Sequence, residues 1–147
     1  MRNHLTSSVS VAFLALLVGF ATIPLEMSAL LEKVGWMAYP IVEVLNVFLI
    51  DFPMSMLAGI LFSIVNKKAR VKDGMICGLL YLTILILLIF IAASLGNVEP
   101  MMKGITALQR NLGLIFPAWC VMFLLLDYGM CMFGGVLGVI VAKEFWR

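Results

Sequence analysis

The sequence predicts an all-α integral membrane protein whose four transmembrane helices form two tandem hairpins. Three observations lead to this prediction. The 147-residue chain is 64% hydrophobic and only 12% charged, whereas soluble domains carry about 25% charged residues. Four apolar stretches reach the ~20 residues that a helix needs to cross a bilayer. A motif at the end of the second stretch recurs at the end of the fourth, which indicates an internal duplication.

The four predicted spans follow one another with short connections and leave no room for a soluble domain. The first lacks an A-x-A cleavage site, so we interpret it as a retained helix rather than a signal peptide. The third is the most uniformly apolar, and we expect it to face lipid without a polar partner. The predicted spans are Val9–Leu31, Ile41–Val65, Met75–Leu95 and Leu112–Val141.

The link between the third and fourth spans is expected to contain a short interfacial helix. Pro100 follows Glu99, and both suit the first turn of a helix. Met101, Met102, Ile105 and Leu108 then fall on one face at helical spacing. A short amphipathic helix of this kind lies in the interface rather than across the bilayer.

The recurring motif runs from Asp51 to Lys67 and again from Asp127 to Lys143, 76 positions later. Eight of the seventeen aligned pairs are identical: the Asp, two Met, one Gly, one Leu, one Ile, one Val and the Lys. We therefore divide the chain into a first hairpin repeat, residues 1–71, and a second, residues 72–147. Each hairpin crosses twice, so the two copies keep one orientation, as in parallel repeats.

The basic residues are distributed unevenly between the two sides of the predicted bundle. Positively charged loops favour the cytoplasmic side, so we expect both termini and the middle loop to be cytoplasmic, in a plasma or inner membrane. Contact of these loops with anionic lipid head groups is compatible with this topology. Seven of the ten basic residues belong to this side: Arg2, Lys67, Lys68, Arg70, Lys72, Lys143 and Arg147.

Small residues share a stripe with each repeated aspartate. In lipid, such stripes allow helix backbones to approach closely. We therefore expect the second and fourth helices to pack together, with Asp51 and Asp127 at the outer mouth of their contact. The predicted packing seam comprises Ser55, Ala58, Gly59, Cys131, Gly134, Gly135 and Gly138.

The two aspartates have two interpretations. Each lies about five residues, or ~8 Å, inside the predicted outer boundary. They could hydrogen-bond across the packing seam, or form a proton or cation site together with Asn46 and Glu26. Glu26 and Glu43 are otherwise expected to be solvated boundary residues.

Other chemistry is not indicated. The three cysteines have no CxxC spacing and His4 is the only histidine, so we expect no metal and no cofactor. Neither aspartate has a nearby base or nucleophile in the sequence, and we expect no enzyme activity. Nothing in the basic residues resembles a nucleic-acid site.

Two functions remain. The leading hypothesis is a protein that acts by helix association in the lipid bilayer, as a subunit, assembly factor or modulator of a membrane complex, or as a homo-oligomer. The alternative is a small proton- or cation-linked transporter or channel that uses Asp51 and Asp127. Substrate, partner and oligomeric state do not follow from the sequence.

Overall fold

The fold was obtained as a computed structural model, and it is all-helical over the described residues. Backbone is described for residues 2–96 and 99–145, and side chains for the same ranges except residues 2–3, 20, 23–29 and 99–101. The helices are α1 (Arg2–Val34), α2 (Ala38–Asn46), α3 (Phe52–Val65), α4 (Val71–Leu95), α5 (Glu99–Leu112) and α6 (Phe116–Phe145).

Short irregular helical segments join some of these helices. A π-helical turn, Val47–Asp51, connects α2 to α3 without a break. Single 3-10 turns, Gly35–Met37 and Gly113–Ile115, precede α2 and α6. Gly35 and Gly113 both have positive φ, of 60° and 52°, a conformation that other residues adopt only with strain. Both halves of the chain thus reverse direction at a glycine followed by one 3-10 turn.

The π turn accommodates a longer spacing between glycine and aspartate in the first half of the chain than in the second. Asp51 follows Gly35 by 16 positions, whereas Asp127 follows Gly113 by only 14. A π turn contains more residues than an α turn, so it can absorb part of this difference inside a continuous helix. The helix that carries Asp127 has no such turn, because α6 is α-helical from Phe116 to Phe145.

Three stretches of the described chain are long and apolar enough to cross a membrane. These are Leu30–Val65, Val71–Leu95 and Met102–Phe145. The first predicted span falls within α1, where the apolar stretch of described residues, His4–Gly19, is shorter. The predicted second, third and fourth spans correspond to α2–α3, α4 and α6.

The bundle is organised around α6, which packs against both α3 and α4, while α1 covers α4 and α3. Close backbone contacts show the relative directions of neighbouring helices. A Cβ added at Gly134 would meet Phe52, whereas one added at Gly138, one turn later, would meet Ile60, so α3 and α6 run parallel. Gly78 meets the Cys131 backbone while Gly74 meets that of Gly135, so α4 is antiparallel to α6.

The start of α1, the α3–α4 turn and the end of α6 therefore lie at one end of the bundle, here called the inner end. The core extends from there towards the middle of the bundle. Its buried members are Val11, Ala12, Ala15, Ala58, Phe62, Ala69, Cys77, Tyr81, Leu82, Leu85, Cys131 and Val139.

The expectation that the third span needs no polar partner is wrong. Tyr81 of α4 is fully buried, and its hydroxyl donates a hydrogen bond to Asp51. Gly74 and Gly78 of the same helix lie directly against the backbone of α6. Hydropathy averages over all faces of a helix, so it does not reveal that one face of α4 belongs to the core.

The helix between α4 and α6 is α5. On its expected apolar face Leu108 is buried, whereas Met102 is exposed, as is the neighbouring Lys103. Gly104 packs against the ring of Tyr39 at the start of α2, where an added Cβ would lie 2.8 Å from a ring carbon. This contact ties α5 to the other hairpin.

Candidate functional site

Three acidic side chains form the candidate site, here called the acidic group: Glu43, Asp51 and Asp127. Glu43 comes from α2, Asp51 ends the π turn, and Asp127 lies near the middle of α6. Asp51 is only 9% exposed, whereas Glu43 and Asp127 are partly exposed. The three therefore span the boundary between the packed interior and the outer part of the bundle.

Asp51 is held by a strong hydrogen bond from the core. The Tyr81 hydroxyl donates to Asp51 Oδ1 at 2.9 Å, and both residues are buried. Because a buried carboxylate without donors is costly, this bond fixes the orientation of Asp51. It also joins α4 to the π turn, so Asp51 connects two helices that the sequence places in different hairpins.

Cys131 lies between the two aspartates. Its thiol is 3.6 Å from Asp127 Oδ1, one helical turn earlier in α6, and 3.9 Å from the backbone oxygen of Asp51. A thiol is a weak donor. Asp127 therefore receives a much weaker hydrogen bond than Asp51, which approaches the same buried sulfur with its backbone oxygen and not with its carboxylate.

Glu43 brings an unpaired acidic oxygen to the same region. Its Oε2 is buried and has no hydrogen-bond partner. Asp127 is close enough to interact electrostatically with both Glu43 and Asp51, so their negative charges would repel one another. The expectation that Glu43 is a solvated boundary residue does not match its buried oxygen.

The arrangement does not resemble a metal centre. Across the described side chains, no three His, Cys, Asp or Glu residues are positioned to hold a metal ion together. Carboxylates that approach in pairs, next to a hydroxyl and a thiol, are instead suited to exchanging protons or to contacting a weakly held cation.

The structure does not join all the residues that the sequence suggested for this site. Asn46 is one π turn before Asp51, but no hydrogen bond connects its side chain to either aspartate among the described residues. The side chain of Glu26 lies outside the described residues. Sequence reasoning missed Tyr81 as a partner, and its only signal was a polar-tipped aromatic residue at the start of a long apolar run.

The predicted seam residues lie below the acidic group, towards the inner end. A Cβ added at Gly134 would meet the Ser55 hydroxyl, and one at Gly138 would meet the Met56 backbone oxygen. Gly59 and Gly135, which are equivalent positions of the repeated motif, touch each other through their backbones. Ser55, Ala58 and Cys131 are fully buried.

A second polar cluster lies at the inner end of the bundle. The His4 ring stacks on Phe62 with centroids 3.9 Å apart. His4 Nε2 is 3.6 Å from Asp73 Oδ1, and its Nδ1 is 3.4 Å from the Cys77 thiol. Asp73 also accepts a hydrogen bond from the backbone N–H of Arg70 at 2.7 Å, which caps the start of α4. This cluster ties α1 to α3 and α4.

The chain matches no protein-family model, no curated protein and no solved structure. The function is therefore inferred from the residues of this chain alone.

Proposed function

We propose that this protein is a small integral membrane protein that carries protons, or exchanges a cation, through the acidic group. Both termini would face the cytoplasm, and the acidic group would lie towards the opposite side. The observation that carries the proposal is the buried, unpartnered oxygen of Glu43 close to Asp127. In an apolar bundle such an oxygen is costly unless it binds a proton or a cation.

Within this proposal the three carboxylates have different roles. Asp51 is fixed by Tyr81 and would keep the site in place. Asp127, which has only a thiol as donor, and Glu43, which has a free oxygen, would take up and release the ion. Uptake of one proton by either residue would remove the repulsion between them, and its release would restore the charged pair. The absence of a three-ligand metal arrangement among the described side chains favours a proton.

Reconstitution into liposomes tests this function. Proton influx driven by a potassium-diffusion potential is measured with an internal pH dye. We expect Asp127→Asn and Glu43→Gln to reduce influx at least ~10-fold, because each removes an exchangeable proton while keeping shape and hydrogen bonding. Glu144→Gln is the matched control, since Glu144 is exposed near the end of α6 and outside the acidic group.

Two results would contradict the proposal. One is wild-type influx no faster than that of protein-free liposomes, measured also with sodium and potassium gradients. The other is equal influx for wild type, Asp127→Asn and Glu43→Gln.

Helix association, the leading hypothesis from the sequence, remains the second candidate because of one feature of α6. Its outer part, before Asp127, projects from the bundle. The consecutive residues Leu124, Leu125 and Leu126 are 47%, 70% and 41% exposed, so most of the helix circumference there is not covered by protein. Another membrane subunit or a second copy of the chain could pack around this segment.

Photo-crosslinking distinguishes association from simple exposure to lipid. A crosslinking residue at Leu125 should give a discrete protein adduct, identified by mass spectrometry after detergent extraction. The same residue at Phe13, which is 55% exposed on α1, is the control for random contact. Only lipid adducts at Leu125 would count against association.

A further inference from the structure

A cavity at the inner end of the bundle has the chemistry of a phosphate site. It measures about 430 Å³ and lies between the end of α3, the α3–α4 turn and the end of α6. This volume is in the range of small-ligand pockets. Its lining residues are Ser63, Ile64, Asn66, Lys67, Ala69, Ala142 and Lys143.

The polar groups that line the cavity are all able to donate hydrogen bonds, and no acidic residue lines it. Lys67 and Lys143 occupy equivalent positions of the repeated motif and approach from the α3–α4 turn and from the end of α6. Neither lysine has a carboxylate within 4 Å among the described residues. Two unpaired ammonium groups on one cavity create a local positive potential that attracts anions.

Ser63 supplies an independent indication of a ligand. Its hydroxyl oxygen is buried and has no hydrogen-bond partner, although a buried hydroxyl usually has one. Rotation of the Ser63 side chain about χ1 would turn this hydroxyl towards the cavity that Ser63 lines, where an anion could accept its hydrogen bond.

The turn that carries Asn66 and Lys67 is held together by its own hydrogen bonds. The Asn66 side-chain oxygen accepts a hydrogen bond from the Lys68 backbone N–H at 3.3 Å. The Asn66 backbone oxygen accepts another from the Ala69 N–H at 2.9 Å. The Asn66 oxygens are thus engaged within the turn, while its amide NH₂ remains able to donate to a ligand.

We propose that this cavity binds the phosphate of an anionic phospholipid head group, held by Lys67 and Lys143 with hydrogen bonds from Ser63 and Asn66. A lipid fits better than a free phosphate, because Ile64, Ala69 and Ala142 give the cavity an apolar side and Ile64 is 44% exposed next to it. Basic pockets between membrane helices on the cytoplasmic side bind such head groups. This site is independent of the acidic group.

Lipid titration by native mass spectrometry tests the proposal. The purified full chain, released from detergent, is titrated with phosphatidylglycerol and, in parallel, with phosphatidylcholine. We expect one phosphatidylglycerol to bind preferentially, and the double variant Lys67→Gln/Lys143→Gln to weaken its binding roughly 10-fold or more. The matched control is Lys68→Gln/Lys72→Gln, which removes the same amount of charge from neighbouring basic residues that do not line the cavity.

Two further measurements complete the test. Ser63→Ala should weaken lipid binding without lowering the melting temperature, which shows that the loss is not due to unfolding. Competition with ~10 mM inorganic phosphate separates the two sources of the phosphate group: little displacement supports a lipid, whereas full displacement overturns the lipid assignment. Equal weakening by both double variants, or unchanged binding in Lys67→Gln/Lys143→Gln, would overturn the site.

Discussion

The inner and outer parts of α6 have the same apolar character but opposite environments. From Cys131 to Ala142, every third or fourth residue is buried against α3 or α4, and glycine backbones touch. From Val121 to Leu126, nearly every residue is exposed. Small residues, rather than hydrophobicity, therefore determine which part of this apolar helix is packed, because small side chains let neighbouring helix backbones approach closely.

Asp51 and Asp127 lie at the boundary between these two environments. Their hydrogen-bond partners differ accordingly. Asp51 faces the packed part, where Tyr81 of α4 reaches it. Asp127 begins the outer part and receives only the Cys131 thiol. Residues that are equivalent in the repeated motif therefore have unequal partners, because the Tyr81 hydroxyl of α4 donates to Asp51, whereas Thr83 of the same helix contacts Tyr128, the neighbour of Asp127.

The largest expected effect on stability comes from replacing glycine by alanine in the inner part of α6, and the same replacement in the outer part is its comparison. In Gly135→Ala the new methyl group would collide with the backbone oxygen of Gly74, and we expect a destabilisation of about 3 kcal/mol. Gly129→Ala places its methyl group where no atom lies within 4 Å. It should be neutral or stabilising by up to about 1 kcal/mol, since alanine favours helix.

Melting temperatures in one detergent compare the two glycine variants. A loss of similar size in both would mean that the inner part of α6 is not the more tightly packed one.

A smaller effect is expected from the hydrogen bond that distinguishes Asp51. Tyr81→Phe keeps the buried ring but leaves the Asp51 carboxylate without its donor, so we expect a loss of about 1–3 kcal/mol. Thr83→Val is the matched control on α4, because the two contacts of the Thr83 hydroxyl, with the Leu79 backbone oxygen at 2.8 Å and with the Tyr128 hydroxyl at 3.3 Å, are both exposed. It should change stability by less than about 0.5 kcal/mol.

A double variant tests whether Tyr81 stabilises the protein through Asp51. In the double variant Tyr81→Phe/Asp51→Ala, the two losses should not add fully, because each single change already removes the hydrogen bond between Tyr81 and Asp51. Full additivity in thermal unfolding would show that Tyr81 does not act through Asp51.

The smallest expected effect concerns pH and the inner end. His4 precedes the predicted first span, and burial lowers the pKa of this residue from its ordinary value of 6.5, although Asp73 partly opposes the shift. The unfolded chain then binds a proton at His4 more readily than the folded one. The contribution of His4 is therefore complete above about pH 6.5 and declines as the pH falls through the lowered pKa.

Melting temperatures at about pH 7.5 and pH 5.5 measure this decline, and His4→Phe is the comparison because it keeps an aromatic ring against Phe62. We expect the variant to lose slightly less stability than wild type on acidification. The same or a steeper decline in His4→Phe would mean that other groups account for it.

Several features were predictable from local pattern. The helical class followed from apolar stretches of suitable length, and α5 followed from its amphipathic face and Pro100. The helix ends were less predictable: α4 begins four residues before the predicted Met75, because Asp73 caps it through Arg70. The turns at Gly35 and Gly113 were missed, although both glycines precede a proline-containing helix start that could have indicated them.

The sequence by itself determined that the chain is helical and apolar, and that two aspartates recur, each followed by small residues on the same stripe. It also determined that most basic residues lie at the N-terminus, in the link between the second and third spans, and at the C-terminus. These are properties of spacing along one chain. Only the tertiary structure decided that Tyr81 binds Asp51, that Glu43 keeps an unpartnered oxygen near Asp127, and that Lys67 and Lys143 share a cavity with Ser63. The physical reason is that these contacts join residues 30 to 84 positions apart. Which of them meet depends on how closely glycine lets α6 approach α3 and α4.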